Sequence, residues 1–344
     1  MKAIVFYEQG GPDVLRWEDR PVPQIGATDV LLKVRAVSVN RTLDIDVRTW
    51  GATWNIPLPH ILGADPAGEI VQVGVSVDGF QPGDRVVTGI IIGCGHCELC
   101  QQALPNACAR RKLYGVHVDG GYAQFARVPA QNLVRIPEGL SFEEASAIMV
   151  VYPIAWHLLI DRGGLRPGEC VLVMAAGGGL GVAGVQIAKL CGAHVIAAAG
   201  SDWKLQRARE LGADSTVNYY STKLGDAVQQ LTNGRGVDIV FENIASEELW
   251  PESIKSLANR GRLVTCGAHG GGKVQVDMNE FYRRHLSIIG AAAAPKDQIE
   301  TVYRLAGEGK LRVPIHCTFP LEQARAAHEL VSSRDVFGRV VLTV

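Results

Sequence analysis

The pattern of apolar and polar positions changes near residue 141. Before it, runs containing β-branched residues are bounded by Gly, Pro and Asp, a pattern that predicts strands joined by turns. The predicted strands are 2–6, 30–39, 68–75 and 85–90. No long helical period interrupts them, so the chain up to about residue 125 predicts an irregular, barrel-like β domain.

Beyond this point, helical and apolar strand-like segments alternate. Ser141 and Glu144 form a capping box, which predicts a helix over 141–160 that ends near Gly163. The later predicted helices are 203–211, 224–231, 246–257 and 296–308, and the predicted strands are 216–219, 237–241, 262–266 and 340–344. This alternation predicts a parallel, doubly wound sheet that binds ligands at the C-terminal strand ends. The last helix and strand are expected to return to the first domain.

The stretch 170–202 carries the strongest signal in this half. An apolar run (171–174) leads into a cluster of glycines, then a helical segment to Leu190, then a second apolar run (194–199). This order is a βαβ unit. Glycines let backbone N–H groups approach a ligand, and the positive end of the helix suits a pyrophosphate, so the stretch predicts a dinucleotide site.

Two registers of the glycine pattern fit this turn. Gly179, Gly181 and Gly184 match G-x-G-x-x-G, whereas positions 176, 178 and 181 match A-x-G-x-x-G. The second is favoured, because the turn should begin directly after the strand. The residues predicted to bind the cofactor here are Gly178, Gly179, Leu180 and Gly181.

Four cysteines in the first half have the spacing of a metal site. They are Cys94, Cys97, Cys100 and Cys108, spaced C-x2-C-x2-C-x7-C. Four thiolates close a tetrahedral zinc site with no open position, so we predict a structural zinc in a lobe over 93–110. An iron–sulfur cluster is the alternative, but the bacterial ferredoxin motif places its fourth cysteine after three residues and follows it with proline.

Length, charge and cysteine usage limit the classes of function. A chain of 344 residues predicts two domains, and a net charge of −1 without a basic run argues against nucleic acid as a partner. The uncharged stretch 171–188 is broken by five glycines and is therefore not a membrane span. The N-terminus is not of signal-peptide type, and the eight cysteines are expected to be reduced. We expect a cytoplasmic protein with a small-molecule substrate.

Several motifs together resemble one family, the medium-chain dehydrogenase/reductases, which include the zinc alcohol dehydrogenases and quinone reductases. They are PHILGADPAGEIVQVG, QPGDRV, SFEEASAI, AAGGGLGVAGVQIAK, ELGAD and VFGRVVLTV, and the similarity covers essentially the whole chain. It implies an α/β protein with a GroES-like β-rich catalytic domain (1–150 and 292–344) and a Rossmann cofactor domain (151–291). It also implies a homodimer or homotetramer.

The chain departs from the zinc alcohol dehydrogenases at their catalytic metal. By resemblance, the first cysteine ligand falls at Asn40 or Arg41, with room for a one-residue insertion, and the last falls near Val150. The His-Glu pair of the family reads Ala64-Asp65. One carboxylate alone would bind a catalytic zinc ion poorly, because such ions usually keep three protein ligands.

Without that zinc, the resemblance is to the zinc-less quinone reductase branch. It implies NADPH-dependent hydride transfer to an enone, an enoyl thioester or a quinone, whose conjugated carbonyl takes the charge. One alternative is an alcohol or aldehyde dehydrogenase in which His60 and Asp44 improvise a second zinc site; otherwise these two side chains fill turns and hydrogen bonds. The other alternative is a non-catalytic NADPH-binding protein.

The end of the second strand of the βαβ unit predicts which nicotinamide cofactor is used. NAD enzymes of this fold place Asp or Glu there to bind the ribose 2′-OH, but this chain has Ala199 and Gly200. The residues predicted to receive a 2′-phosphate are Ser201, Lys204 and, by the resemblance, Tyr219. We therefore predict NADPH. Asp202 is the counter-evidence, because an inward-facing carboxylate there would favour NADH.

By the resemblance, the nicotinamide lies among residues from both domains. They are Asn40, the turn 152–154, Asn243, Gly267 and Ala291. Asn40 and Tyr152 are candidate hydrogen-bond donors to a substrate carbonyl. The alternative is that Asn40 fixes a turn and Tyr152 packs between the domains.

Overall fold

The computed structural model describes residues 1–51 and 54–344, which form two compact units. The first unit is Met1–Val150 with Pro295–Val344, and the second is Val151–Ala294. The second unit ends at residue 294, whereas the sequence predicts its boundary at residue 291.

The described elements run as follows. The strands are β1 (Lys2–Val5), β2 (Arg16–Asp19), β3 (Asp29–Ser38), β4 (Ala67–Val73), β5 (Arg85–Thr88), β6 (Ile91–Ile92), β7 (Lys112–Leu113), β8 (Phe125–Pro129), β9 (Leu133–Arg135), β10 (Cys170–Val173), β11 (His194–Ala199), β12 (Ser215–Asn218), β13 (Val237–Glu242), β14 (Leu257–Thr265), β15 (Ser287–Gly290), β16 (Ile315–Pro320) and β17 (Arg339–Thr343). The α-helices are α1 (Val47–Trp50), α2 (Glu98–Gln101), α3 (Phe142–Met149), α4 (Val151–Trp156), α5 (Gly179–Leu190), α6 (Asp202–Glu210), α7 (Leu224–Leu231), α8 (Leu249–Ser256), α9 (Met278–Arg283), α10 (Lys296–Gly307) and α11 (Ala324–Ser333). Two π-helices cover Arg41–Asp46 and His157–Arg162.

The first unit is built on a mostly antiparallel seven-stranded sheet. Its order is β16-β17-β3-β4-β5-β9, and β8 pairs with β3. One face packs Val30, Leu32 and Ile70 into a buried cluster. β17 pairs with β3 and places Val341 opposite Ser38, so the end of the chain does return to the first unit. The predicted β-rich domain is confirmed.

The second unit is a six-stranded parallel sheet with the order β12-β11-β10-β13-β14-β15. Numbered from its first strand, this is 3-2-1-4-5-6, the order of a dinucleotide-binding doubly wound fold. Apolar side chains such as Leu172, Ile196 and Val240 come from neighbouring strands and are fully buried. The strand–turn–helix–strand unit predicted over 170–202 is present as β10, α5 and β11, and the fold class is confirmed.

Three predicted elements differ most from the observed bounds. The helix predicted over 141–160 ends first at Met149, and α4 begins after a one-residue interruption at Val150. Pro153 explains the break, because proline donates no N–H and clashes with the carbonyl four residues earlier, here that of Met149. The helix predicted over 246–257 is α8, Leu249–Ser256, and the strand predicted over 262–266 is the longer β14.

No single helix among the described residues is long and apolar enough to cross a membrane. The consecutive helical segments Phe142–Met149 and Val151–Arg162 pass as a bent pair on length and composition alone.

Candidate functional site

The glycine turn of the second unit joins β10 to α5. Gly178 is the N-cap of α5, and the helix begins at Gly179. Because the first N–H groups of a helix have no acceptor within it, this end suits an anion. A Cβ atom at Gly181 would overlap the carbonyl oxygen of Ala175, so the close approach of helix and turn requires glycine. Together with Leu180, these residues form the helix end where the favoured register predicts cofactor contacts.

Lys204 connects the end of β11 with this turn. Its aliphatic stem crosses Gly177, where a Cβ atom would lie 2.6 Å from the lysine Cδ. Asp202 is exposed, and its carboxylate accepts a hydrogen bond of 2.7 Å from Nδ2 of Asn218. A carboxylate that would favour NADH is therefore engaged by β12, while the lysine stem lies against the glycine turn and its ammonium group lies 5.3 Å from the centroid of the Trp203 ring.

The other residues predicted for the 2′-phosphate lie at the same sheet edge. Ser201 is the N-cap of α6, immediately beyond β11. Tyr219 directly follows β12, and its backbone N–H donates to the carbonyl of Ala199 at 3.2 Å. The structure thus brings Ser201 and Tyr219 to the C-terminal ends of adjacent strands, as the sequence predicts.

Asn243, Gly267 and Ala291 follow three neighbouring strands, β13, β14 and β15. The Asn243 side chain donates to the carbonyl of Met174 at 3.1 Å. A Cβ atom at Gly267 would overlap the carbonyl oxygen of Asn243, and Ala291 N–H donates to Thr265 at 3.1 Å. These residues occupy the edge at which doubly wound sheets bind ligands, although their contact with a nicotinamide remains a prediction.

Glu242 is a buried acid that the sequence analysis missed. Its carboxylate accepts the backbone N–H groups of Ile244 and Ala245, each at 3.0 Å, and so shapes the turn after β13. Burial raises the pKa of Glu242 to about 6, against the effect of these two donors. The sequence signal that could have identified Glu242 was an acidic residue directly after the apolar run 237–241.

In the first unit, a buried polar network surrounds Asp65. Its carboxylate accepts hydrogen bonds from the backbone N–H and hydroxyl of Ser38 and from Nδ2 of Asn40, the first at 2.9 Å and the last at 3.0 Å. Arg339 of β17 lies 3.7 Å from Asp65 Oδ2. Burial raises the pKa of Asp65, and the Arg339 charge and these donors oppose that rise. Each carboxylate oxygen is therefore engaged by donors of the chain itself.

The two candidate substrate donors, Asn40 and Tyr152, have partners within their own units. Asn40 Oδ1 accepts from Nη2 of Arg339 at 2.7 Å, while its Nδ2 donates to Asp65. Tyr152 is fully buried, and its hydroxyl accepts from Nε2 of Gln186 at 2.9 Å. The backbone N–H of Asn40 also donates to Asp44, as expected of a residue that fixes a turn, whereas the Tyr152 contact lies within the second unit and does not test packing between the domains. Their roles toward a substrate remain untested predictions.

The other residues considered for a catalytic metal are also engaged or lack donor atoms. The Asp44 carboxylate accepts the backbone N–H groups of Asn40 at 2.6 Å and of Gly63 at 3.0 Å, and burial raises its pKa to about 7. His60 Nε2 is 3.0 Å from the carbonyl oxygen of Gly115. Ala64 is buried and offers no ligand atom.

The predicted insertion near Asn40 coincides with an unusual helix. The segment Arg41–Asp46 is π-helical, with one more residue per hydrogen-bonded turn than an α-helix. Val150, the third family ligand position, is the C-cap of α3.

The four cysteines of the first unit converge as their spacing predicts. All four Sγ atoms lie within 4.8 Å of one another. The Cys94–Cys100 and Cys97–Cys108 sulfur separations are 3.9 and 3.6 Å. Zinc–sulfur bonds of about 2.3 Å in a tetrahedron give sulfur separations of about 3.8 Å, so the donor set fits zinc. Within the described ranges, no other group of three His, Cys, Asp or Glu side chains has such an arrangement.

The surroundings of the cysteines also suit a metal. β6 pairs with β7 and closes the base of the lobe, placing Ile91 opposite Leu113. The guanidinium of Arg110 lies 3.6 Å from Cys94 Sγ, and its backbone N–H donates to Cys108 Sγ at 3.3 Å. A positive charge and an N–H donor beside the sulfurs stabilise thiolates.

Comparison with known proteins finds two family matches along the chain. Residues 26–138 match the alcohol dehydrogenase GroES-like domain, and residues 179–308 match the zinc-binding dehydrogenases. An NAD-dependent alcohol dehydrogenase of Sulfolobus acidocaldarius is 34% identical over the full length of both chains. An acryloyl-coenzyme A reductase of Sulfurisphaera tokodaii is 30% identical and is covered, like this chain, to 99%.

A solved structure of an NAD-dependent alcohol dehydrogenase has the same fold. It superposes with a TM-score of 0.96 at 43% identity, covering 100% of both chains. The similar proteins are oxidoreductases, but their names divide between alcohol oxidation and reduction of an enoyl thioester.

Proposed function

The chain belongs to the medium-chain dehydrogenase/reductase superfamily and is an NAD(P)H-dependent oxidoreductase, and we propose that it uses NADPH to reduce an activated carbon–carbon double bond or a quinone without a catalytic zinc. The favoured substrates are enones and enoyl thioesters. The observation that carries this proposal is the saturation of Asp65 by Ser38, Asn40 and Arg339.

The donor set around Asp65 is a poor fit for a catalytic zinc ion. The family's thiolate and imidazole positions hold side chains that cannot act as ligands, including Ala64 and Val150. The remaining carboxylate, Asp65, already contacts hydrogen-bond donors and a guanidinium, and these groups would compete with a zinc ion for its oxygens. The usual Lewis acid for polarising an alcohol oxygen is therefore missing. Substrates that delocalise the negative charge of hydride transfer through a conjugated carbonyl are favoured instead.

The residues of the second unit suit the cofactor. The α5 N-terminus at Gly178 would hold the pyrophosphate through backbone N–H groups. Lys204 would neutralise the 2′-phosphate, and Gly200 supplies no carboxylate to repel it. When bound, NADPH supplies the hydride. Asn243, whose side-chain amide is fixed by its hydrogen bond to the Met174 carbonyl, would help to orient it.

The relatives support both this function and one competitor. The acryloyl-coenzyme A reductase is named for the reduction proposed here. A second candidate function is alcohol oxidation, which is favoured by the names of the two NAD-dependent alcohol dehydrogenases described above.

A screen with parallel metal analysis separates the two functions. We expect NADPH oxidation with members of a panel of enones, enoyl-CoA thioesters and quinones, and about one zinc per chain, held by the four cysteines. About two zinc ions per chain, together with NAD-dependent oxidation of simple alcohols, would contradict the proposal. Bound NADPH without turnover on the whole panel would instead indicate a non-catalytic protein.

Replacing Lys204 with alanine tests the preference for NADPH. Loss of a charged hydrogen bond to the phosphate should weaken NADPH binding about 10- to 100-fold and leave NADH binding within about twofold. Lys255→Ala is the matched control, because this exposed lysine pairs with Asp226 at 2.6 Å. Fluorescence titration of both cofactors is the measurement. Equal losses for NADPH and NADH would show that Lys204 does not read the phosphate.

A further inference from the structure

Gly200, directly beyond β11, is covered by an aromatic side chain. A Cβ atom at this position would lie 2.5 Å from Cε2 and 2.9 Å from Cδ2 of Tyr220. It would also lie 3.2 Å from Cε2 of Tyr219. Gly200 does not have the positive φ that favours glycine, so a side chain at this position would meet the Tyr220 ring and not a backbone restriction, and the ring would have to move to admit it.

The covered position is where cofactor choice is made in doubly wound sheets. The acid that binds the ribose 2′-OH stands at the end of the second strand of the βαβ unit, which is β11 here. A carboxylate side chain at Gly200 would leave the backbone through the volume that the Tyr220 ring occupies. The phenol thus stands where NAD enzymes of this fold have a negative charge.

Local hydrogen bonds hold Tyr220 at this position. Its backbone N–H donates to Oδ1 of Asn218 at 3.1 Å, and the same amide donates from Nδ2 to Asp202. The Tyr220 ring packs edge-on against Tyr219, with centroids 5.0 Å apart and planes at 84°. Asn218 therefore turns the nearby carboxylate aside and also fixes the segment that carries the tyrosine.

The outer part of Tyr220 is available to a ligand. The residue is 72% exposed, although the ring edge contacts Gly200. Within the described part of the chain, the backbone N–H of Tyr220 makes a hydrogen bond, but its hydroxyl has no hydrogen-bond partner. A phenol donates to a phosphate oxygen, whereas a carboxylate repels it.

We propose that Tyr220 is a specificity-determining residue for the cofactor, with its ring in place of the ribose-binding carboxylate and its hydroxyl donating to the 2′-phosphate. This inference rests on the proposed use of NADPH. To the predicted residues Ser201, Lys204 and Tyr219 it adds a residue that excludes the acid and recognises the phosphate.

Calorimetric titration of the full-length protein with 2′,5′-ADP and 5′-ADP tests the proposal without using activity. Tyr220→Phe keeps the ring and removes the donor, and should weaken 2′,5′-ADP about tenfold while 5′-ADP changes less than about twofold. Gly200→Asp should weaken 2′,5′-ADP at least about tenfold by repulsion and gain nothing for 5′-ADP. The double variant Gly200→Asp/Tyr220→Ala should bind 5′-ADP more tightly than the unsubstituted protein and more tightly than Gly200→Asp or Tyr220→Ala alone. Removing the ring leaves space for the carboxylate to reach the ribose hydroxyl.

Tyr282→Ala, at another exposed tyrosine of the second unit, is the control and should bind both ligands as the parent does. Unchanged binding of 2′,5′-ADP by Tyr220→Phe, or an equal loss for both ligands, would overturn the role of Tyr220. A gain of 5′-ADP affinity by Gly200→Asp alone would overturn the exclusion by the ring. Failure of the proposed NADPH preference is distinguishable, because it appears in the unsubstituted protein as equal or tighter binding of 5′-ADP.

Discussion

Cys97→Ser is expected to release the zinc ion and loosen the lobe that contains it. The hydroxyl of serine is a poor zinc ligand, and four thiolates act together to hold one ion. Binding of structural zinc contributes about 10–16 kcal/mol in isolated zinc-finger peptides, an upper bound for this larger domain. We expect zinc to fall from about one per chain to well below half, with faster proteolysis within 93–110 and a lower Tm. Atomic absorption, limited proteolysis and thermal unfolding measure these effects.

Cys317→Ser is the matched control for this experiment. Cys317 is a half-buried thiol of the first unit, outside the four-cysteine cluster. The Cys317→Ser protein should therefore retain its zinc and its resistance to proteolysis. Full zinc content in Cys97→Ser would contradict the assignment. Iron and sulfide with visible absorbance in the parent protein would instead support the iron–sulfur alternative.

Asp65→Asn is expected to lower the free energy of unfolding by about 3–5 kcal/mol. Removing one member of a buried ion pair leaves the other charge without compensation, and Arg339 has a side chain only 8% exposed. The asparagine also presents an NH2 group where the carboxylate accepted hydrogen bonds from Ser38 and Asn40. The midpoint of urea denaturation, measured with the zinc content held equal, reports the loss.

Two further variants test whether the loss comes from the buried charge. Asp19→Asn removes a carboxylate that pairs with Lys2 at 2.8 Å but is 77% exposed, so the midpoint of urea denaturation should stay close to that of the parent protein. Asp65→Asn/Arg339→Met should be more stable than Asp65→Asn, because no unpaired charge remains. A double variant as unstable as Asp65→Asn, or a single variant as stable as the parent, would contradict the importance of the pair.

The Asp65 network also explains how the carboxylate at a position that the family resemblance assigns to a metal ligand is satisfied by the chain itself. Ser38 ends β3, Arg339 begins β17, and the antiparallel pairing of these strands brings them together. The network therefore connects the end of the chain with the body of the first unit. Its charges are balanced internally.

The elements that the sequence predicts well are those with local causes. The capping box at Ser141 forms because side chain and backbone of the same turn satisfy each other. The glycine turn before α5 and the four-cysteine lobe also lie within short segments, whose spacing limits the geometry. The π-helix after Asn40 had one sign in the sequence: the family pattern left room there for one extra residue.

The partners of the buried polar residues depended on long-range packing. Arg339 lies 299 positions from Asn40, so only pairing of β17 with β3 joins them. In the sequence, Arg339 stands one residue before the predicted strand 340–344, and no local pattern links it to Asn40. Glu242 and Tyr220 were likewise missed, because their importance comes from the strand ends and backbone groups that surround them.

Periodicity, glycine turns and cysteine spacing act over a few residues, so the sequence alone predicts the two-domain α/β architecture, the four clustered thiols and the cofactor fold. The engagement of Asp65 by Arg339, the engagement of Asp202 by Asn218 and the cover of Gly200 by Tyr220 became visible in the folded chain. The physical reason is that the energy of a buried charge or a crowded backbone depends on neighbours in space, and strand pairing brings those neighbours from distant parts of the chain.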